Sequence, residues 1–134
     1  MGAMAVDDPT EGALGVTSAF LDSFNACDAP GHAGTLAYPH VRLASGTVRI
    51  WQDREEAVPA MEWAMAALRE RAGWSHSTWD HRRVIHAGRD KVHLDVQFTR
   101  HHADGSVIGV YPAVYVVVRE DDRWLIAARS SFAP

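Results

Sequence analysis

The segment that decides the fold is "IGVYPAVYVVVREDDRWLIAARSSFAP", residues 108–134. Apolar side chains follow a period of two along much of it, which is the period of a β-strand. The acidic run at 120–122 interrupts this pattern with residue types that favour a tight turn. We therefore predict strands at 106–119 and 122–132. Because the connection is short, the two strands should be antiparallel neighbours.

Two further strands are predicted upstream, at 76–87 and 91–102. Gly88 and Asp90 mark the first turn, and the run Ala-Asp-Gly at 103–105 marks the second. After Gly73 the apolar residues recur with a period of two, and only short turns separate the predicted strands. This part of the chain should therefore form a meander of four long strands.

Helical patterns precede this meander. Apolar residues spaced three and four apart predict a helix over 13–27, and a second short helix is predicted to reach about Tyr38. Asp53 has the position and chemistry of a helix cap, so a third helix should run from there to Gly73. A hairpin with its turn at Ser45–Gly46 is predicted over 40–51. The fold class is therefore α+β.

Composition limits the functions that are plausible for this chain. It has 134 residues and a formal net charge of −4, which argues against a nucleic-acid platform. No apolar run approaches the roughly 20 residues needed to span a membrane. Cys27 is the single cysteine, which suits a reducing compartment, and residues 1–12 lack the features of a signal peptide. We expect a cytoplasmic protein with a disordered or tag-like segment at 1–12 and one domain over 13–134.

Three quoted segments resemble the NTF2-like (SnoaL-like) superfamily. They are "AFLDSFNACDAPGHAGTLAYPHVRLASG" (19–46), "DREEAVPAMEW" (53–63) and the C-terminal segment that contains "REDDRWLI" (119–126). The resemblance covers about residues 13–134 and implies a small single-domain bacterial member. The implied fold is a cone-shaped barrel, with three N-terminal helices packed on a curved, mostly antiparallel sheet.

The resemblance also implies a deep, mostly apolar cavity that opens near the short hairpin. Members of this kind usually work without a metal or organic cofactor, and they usually pair as homodimers. Because one fold hosts many activities, the resemblance specifies the activity poorly. The expected ligand is a small hydrophobic, aromatic or polycyclic molecule.

The candidate catalytic residues are His93, Asp95, His81 and Tyr38. His93 and Asp95 share one face of the strand "KVHLDVQFTR" (91–100), and a carboxylate beside an imidazole fixes its tautomer and makes it a better base. Two histidines on neighbouring strands, His81 or His86 together with His93, would resemble the acid and base of the dehydratase branch. Tyr38 could donate to an oxyanion near the cavity mouth. The alternative is that the polar strand face is the convex outer surface or a dimer interface.

Six further residues are candidates for substrate binding: His40, Arg42, Trp51, Gln97, Tyr111 and Tyr115. Val114, Val116 and Val118 are the alternative to the two tyrosines as the inward face of their strand. No metal site is predicted, because the eight histidines show no ligand spacing.

We expect a cofactor-independent acid/base enzyme of the lyase, dehydratase or isomerase type. The alternative is a non-catalytic ligand-binding or dimeric assembly module. The position of His93 and Asp95, facing the cavity or facing away from it, discriminates between them.

Overall fold

The computed structural model describes residues 8–134. Within that range three helices and six strands follow one another along the chain in this order: α1 (Pro9–Asn25), α2 (Ala29–Ala33), β1 (Leu36–Ala44), β2 (Thr47–Trp51), α3 (Arg54–Ala72), β3 (His76–Ala87), β4 (Lys91–His101), β5 (Val107–Glu120) and β6 (Arg123–Ser131). The α+β class, the four-stranded meander and the hairpin are confirmed.

The six strands form one sheet in the order β2-β1-β6-β5-β4-β3. Only the pairing of β1 with β6 is parallel, and the other four are antiparallel. Helix α1 packs against β3, β4 and β6, whereas α3 contacts α2 and β2. The parallel pairing therefore joins the early hairpin to the last strand of the meander.

Local chemistry accounts for the ends of α3. The Asp53 side chain accepts a hydrogen bond from the Glu56 backbone N–H at 2.9 Å, and Glu56 in turn accepts from the Gln52 N–H at 2.9 Å. These bonds satisfy donors that the first helical turn leaves free. Gly73 ends the helix with φ +68°, a left-handed conformation that favours glycine. Pro59 lies inside α3 without ending it.

Several predicted boundaries are wrong. Asp8 caps α1, so residues 9–12 belong to this helix rather than to a disordered or tag-like segment; the remainder of that prediction, residues 1–7, lies outside the described residues. Helix α2 ends at Ala33, and β1 already begins at Leu36, so Tyr38 is a strand residue. None of the helices in residues 8–134 is long and apolar enough to cross a membrane.

Candidate functional site

The two faces of β4 have different surroundings. Val92, Leu94 and Val96 are fully buried in the core that the sheet forms with the helices. Arg100 continues the same alternation and is only 7% exposed. His93 and Asp95 point to the opposite, half-exposed face. The inward face of this strand therefore ends in an arginine.

Two other arginines reach the same interior region from β1 and β6. Arg42 and Arg129 are register partners in the parallel β1–β6 pair, and Tyr115 of β5 is the partner of Arg129 on its other side. Like charges on directly opposed strand positions repel each other. The sheet thus holds two guanidinium groups side by side, next to a buried tyrosine.

The Arg129 side chain is held by neutral groups. Its Nε donates to Nε2 of His40 at 3.0 Å, and its guanidinium lies 5.0 Å from the ring centre of Phe20. Nδ1 of His40 donates to the Ile126 carbonyl at 2.9 Å, so the imidazole is the neutral tautomer with the proton on Nδ1. Tyr115 also hydrogen-bonds Arg129. None of these partners neutralises the positive charge.

Arg100 is also buried, and its side chain hydrogen-bonds Tyr111, a neutral partner. Its guanidinium lies 5.1 Å from the ring centre of Tyr111 and 5.8 Å from that of Phe98. Its Nε is buried and has no hydrogen-bond partner among the described residues, and the same holds for the indole Nε1 of Trp79. Unpaired buried donors are rare in folded proteins because each costs free energy.

The interior shifts the pKa values of its titratable groups. Burial, followed by the charge of Arg129, lowers the pKa of His32 and that of His40 to about 3. Burial lowers the pKa of Arg129 to about 10, which leaves it charged at neutral pH. Burial raises the pKa of Tyr115, so this residue remains a phenol that can donate a hydrogen bond. At neutral pH the interior therefore holds cations and neutral groups.

Two chambers that share lining residues lie against these arginines, and we call the smaller one the inner chamber and the larger one the outer chamber. The inner chamber has a volume of about 50 Å3 and is lined by Phe20, Leu21, Phe24, Arg42, Ser77, Trp79, Phe98, Arg100, Tyr115, Arg129, Ser131 and Ala133. The outer chamber, of about 540 Å3, shares Phe24 and the three arginines and adds His32, Ala44, Ser45, Thr47, Arg49, Trp51, Ala60, Met61, Trp63, Ala64, Ala67, Leu68, Arg71, Ala72 and Pro134.

The charge of the chambers is opposite to that of the whole chain. Five arginines line them, and no aspartate or glutamate among residues 8–134 does so. No carboxylate of the described residues lies within ion-pair distance of Arg42, Arg100 or Arg129. The chain as a whole carries a formal net charge of −4. The cavity is therefore a cationic site within an acidic protein.

The predicted catalytic pair does not face this cavity. Asp95 approaches His81 rather than His93, with Nε2 and Oδ1 3.5 Å apart, and His93 contacts His86 with their Nδ1 atoms 3.1 Å apart. Gln97 donates to Asp80 at 3.2 Å. All of these contacts link β3 and β4 on the face opposite the core. For His93, Asp95, His81 and Gln97 the sequence leaves two placements open, and the structure has them on the outer face, because inward positions of β4 belong to its apolar residues and Arg100.

The other predicted site residues lie in or near the cavity. Arg42 lines both chambers, Trp51 the outer one and Tyr115 the inner one. His40 lies behind Arg129 and stacks on Trp51, with ring centres 5.7 Å apart. Tyr115 is 2% exposed whereas Val114 is 42% exposed, so the tyrosine face of β5 is the inward one.

Tyr38 and Tyr111 support the site without lining either chamber. The Tyr38 hydroxyl donates to the Ala33 carbonyl at 2.7 Å, so its proton is already engaged. Burial raises the pKa of Tyr38, which keeps that donor protonated. The ring of Tyr111 instead lies beside the Arg100 guanidinium.

Sequence reasoning missed Arg100, Arg129 and Trp79. For Arg100 a signal was present, because it is in phase with the apolar residues of β4 and an arginine on an apolar face is unusual. Arg129 gave no such signal, since its adjacency to Arg42 depends on a parallel pairing between strands distant in sequence. Among the described residues no group of three or more His, Cys, Asp or Glu side chains could hold a metal ion.

Comparison with known proteins identifies the fold. A family model described as NTF2-like protein (DUF6841) matches residues 15–132. An NTF2-like protein from Novosphingobium aromaticivorans superposes with a TM-score of 0.75 at 12% identity, covering 92% of this chain and 80% of the other. One of unknown function from Shewanella oneidensis gives 0.69 at 11% identity, covering 94% and 100%.

A third structure contains a small molecule. It is a protein from Catenulispora acidiphila in complex with S-DNPA, with a TM-score of 0.70, 19% identity and 90% of each chain covered. No curated protein matches the sequence. At these identities the solved structures show a shared fold and nothing finer.

Proposed function

The chain belongs to the NTF2-like family DUF6841, and from that premise we propose that it binds a small organic anion in its interior cavity. The observation that carries the proposal is Arg100, a residue that is only 7% exposed, has an Nε without a hydrogen-bond partner among the described residues and has no carboxylate within ion-pair distance. A buried charge without a counter-ion is costly, and a bound anion would relieve that cost.

Two neighbours of Arg100 support an anionic ligand. Arg42 and Arg129 repel each other across the β1–β6 pairing. An anion bound between them would attract both guanidinium groups and so offset that repulsion. Guanidinium groups bind carboxylates with two parallel hydrogen bonds, which gives geometric selectivity as well as affinity. The small-molecule complex of the Catenulispora acidiphila protein shows that a protein of this fold can accommodate a ligand.

An acid/base enzyme remains the second candidate function, but its mechanism needs a base in the cavity. His32 and His40 are the imidazoles in or beside the chambers, and each uses Nδ1 to bond a backbone carbonyl. The remaining nitrogen of His40 already accepts from Arg129. The pair of Asp95 with His81 lies on the outer face. Binding therefore has more support in this geometry than proton abstraction.

The test compares an acid with its neutral isostere. We expect 1-naphthylacetate to raise Tm and 1-naphthylacetamide to leave it unchanged, because only the acid neutralises the arginines. Arg100→Gln should weaken acid binding about tenfold or more, in line with the roughly 1.5–3 kcal/mol of a charge-assisted hydrogen bond. Isothermal titration calorimetry measures the affinities.

The control is the double variant His93→Ala, Asp95→Asn on the outer face, which should bind the acid as the wild type does. Equal affinity for the acid and the amide would refute anion binding. A selective loss of affinity in the outer-face variant, with Arg100→Gln unaffected, would instead restore the His/Asp hypothesis.

A further inference from the structure

The two chambers differ in size by about an order of magnitude, and this difference bears on the ligand. The inner chamber measures about 50 Å3, whereas an apolar cavity that holds benzene measures about 150 Å3. It can therefore take a head group of a few atoms but no aromatic ring. The outer chamber, about 540 Å3, lies within the range of roughly 300–1,000 Å3 that is usual for small-molecule sites.

The hydrogen-bond donors are concentrated on the inner side. Trp79, whose buried Nε1 has no partner among the described residues, lines the inner chamber, as does the phenol of Tyr115. Arg42, Arg100 and Arg129 line both chambers and so lie at their junction. A head group at this junction would meet the guanidinium donors directly, and the indole and phenol donors lie on its inner side.

The walls of the outer chamber that α3 and the hairpin form are mostly apolar. The face of α3 that lines it carries Ala60, Ala64 and Ala67, whose small side chains leave space, and Met61 adds apolar surface. Trp51 supplies an aromatic wall from the hairpin. Such a surface gains free energy by covering an apolar group. The two further arginines of this chamber, Arg49 and Arg71, lie on exposed positions, where water screens their charge. The charged end of a ligand is therefore better placed at the junction than in the outer chamber.

Resting on the proposed function, we propose that the ligand is an amphiphilic carboxylic acid bound head first. Its carboxylate lies at the junction against Arg42, Arg100 and Arg129, at the mouth of the inner chamber. Its apolar body, the size of one or two rings, fills the outer chamber between α3 and the β1–β2 hairpin. The body and the carboxylate are recognised by separate parts of the cavity.

A series of acids with bodies of increasing size tests this arrangement. For the wild type, calorimetry should show at least a tenfold gain in affinity from acetate to phenylacetate and a further gain to 1-naphthylacetate. Ala64→Phe fills the outer chamber from α3, so it should weaken 1-naphthylacetate binding about tenfold or more while acetate binding is unchanged. Ala66→Phe, on an exposed position of the same helix, is the matched control and should bind like the wild type.

A second variant covers the possibility that Ala64→Phe fails to fold. Thr47→Trp places bulk on the exposed hairpin side of the same chamber and should act in the same direction. Equal affinity for acetate and 1-naphthylacetate, with no effect of either variant, would overturn the amphiphilic ligand and leave anion binding intact. Equal binding of acid and amide would overturn both. Tighter binding of 1-naphthyl phosphate than of the carboxylate would overturn the assignment of the head group.

Discussion

The buried charge of Arg100 should lower the stability of the unliganded protein while favouring the binding of an anion. It occupies an inward position of β4 where the preceding residues are apolar, and it lacks a carboxylate partner among residues 8–134. Burial lowers the pKa of Arg100, because removing the guanidinium from water disfavours its charged form. Proteins commonly keep such unfavourable residues where ligands bind.

The first prediction concerns the stability of the unliganded protein. We expect Arg100→Met to raise the free energy of unfolding by about 1 kcal/mol, because an apolar side chain of similar length replaces a buried, uncompensated charge. For a domain of this size Tm should rise by about 3 °C, as measured by calorimetry. Arg83→Met, at an exposed position of β3, is the control and should change stability little. A fall of more than 1 kcal/mol in the Arg100 variant would contradict this account.

For single residues, the sequence predicts which side chains lie at the cavity only in part, and it does not predict which face of β4 is inward. The sequence indicates Arg42, Trp51 and Tyr115 as binding residues, and these three line the cavity. The polarity of His93 and Asp95 was visible in the alternation of "KVHLDVQFTR", but alternation gives two faces and does not say which is inward. The apolar residues of β4 decide this, because the core takes the face that buries more apolar surface.

At the scale of elements, two neutral histidines connect segments that are distant in sequence. His32 of α2 donates from Nδ1 to the Phe20 carbonyl of α1 at 2.8 Å. His40 of β1 bonds the Ile126 carbonyl of β6 in the same way and receives Arg129 on its other nitrogen. Both contacts depend on an uncharged ring, since a second proton on either imidazole would place a cation near Arg129.

The second prediction follows from these histidines. Their pKa values are lowered from 6.5 to about 3 in the folded protein, so between these values the unfolded chain binds more protons than the folded one. The contribution of these two histidines to the free energy of unfolding should therefore be fully present above pH 6.5 and decrease as the pH falls toward 3. Urea unfolding between pH 7 and 5, where most carboxylates stay ionised, measures the slope. The variant His32→Gln, His40→Gln should show a smaller slope, and an unchanged slope would exclude these residues as its cause.

Element boundaries were predictable where a local signal exists. Asp53 and Gly73 bracket α3 as their chemistry predicts, and the hairpin turns at Ser45–Gly46, where both residues have positive φ. The start of β1 was not predictable, because residues 36–39 gain strand geometry from pairing that begins with Leu36 beside Ile126. Such pairing is a tertiary effect, which propensity and periodicity do not record.

At the scale of the whole molecule, charge is unevenly distributed. Arg49 and Arg71 line the outer chamber on exposed positions, whereas Arg42, Arg100 and Arg129 are half-buried or buried. We call Arg49 and Arg71 the rim arginines. The potential of the cavity should therefore attract anions although the chain carries a formal net charge of −4. The rim arginines should mainly affect the association rate of an anion, whereas Arg42, Arg100 and Arg129 should mainly affect its dissociation rate.

The third prediction separates these two effects. Raising the salt concentration from 50 to 500 mM should slow association of 1-naphthylacetate several-fold and change dissociation little, because salt screens exposed charges more than buried ones. Stopped-flow fluorescence can follow this, since Trp51 and Trp63 line the outer chamber. Arg49→Gln should reduce the salt dependence of association. An association rate that is independent of salt would argue against steering by the rim.

The parallel pairing of β1 with β6 has a consequence for the order of folding. Arg42 and Arg129 are neighbours in space but are separated by most of the chain, and no strand hairpin brings them together. The β3–β6 meander can assemble from short loops, whereas this contact requires closure of a long one, which is entropically slower. The cavity should therefore be among the last parts of the molecule to form. An anion would then stabilise the finished fold without guiding the early steps that lead to it.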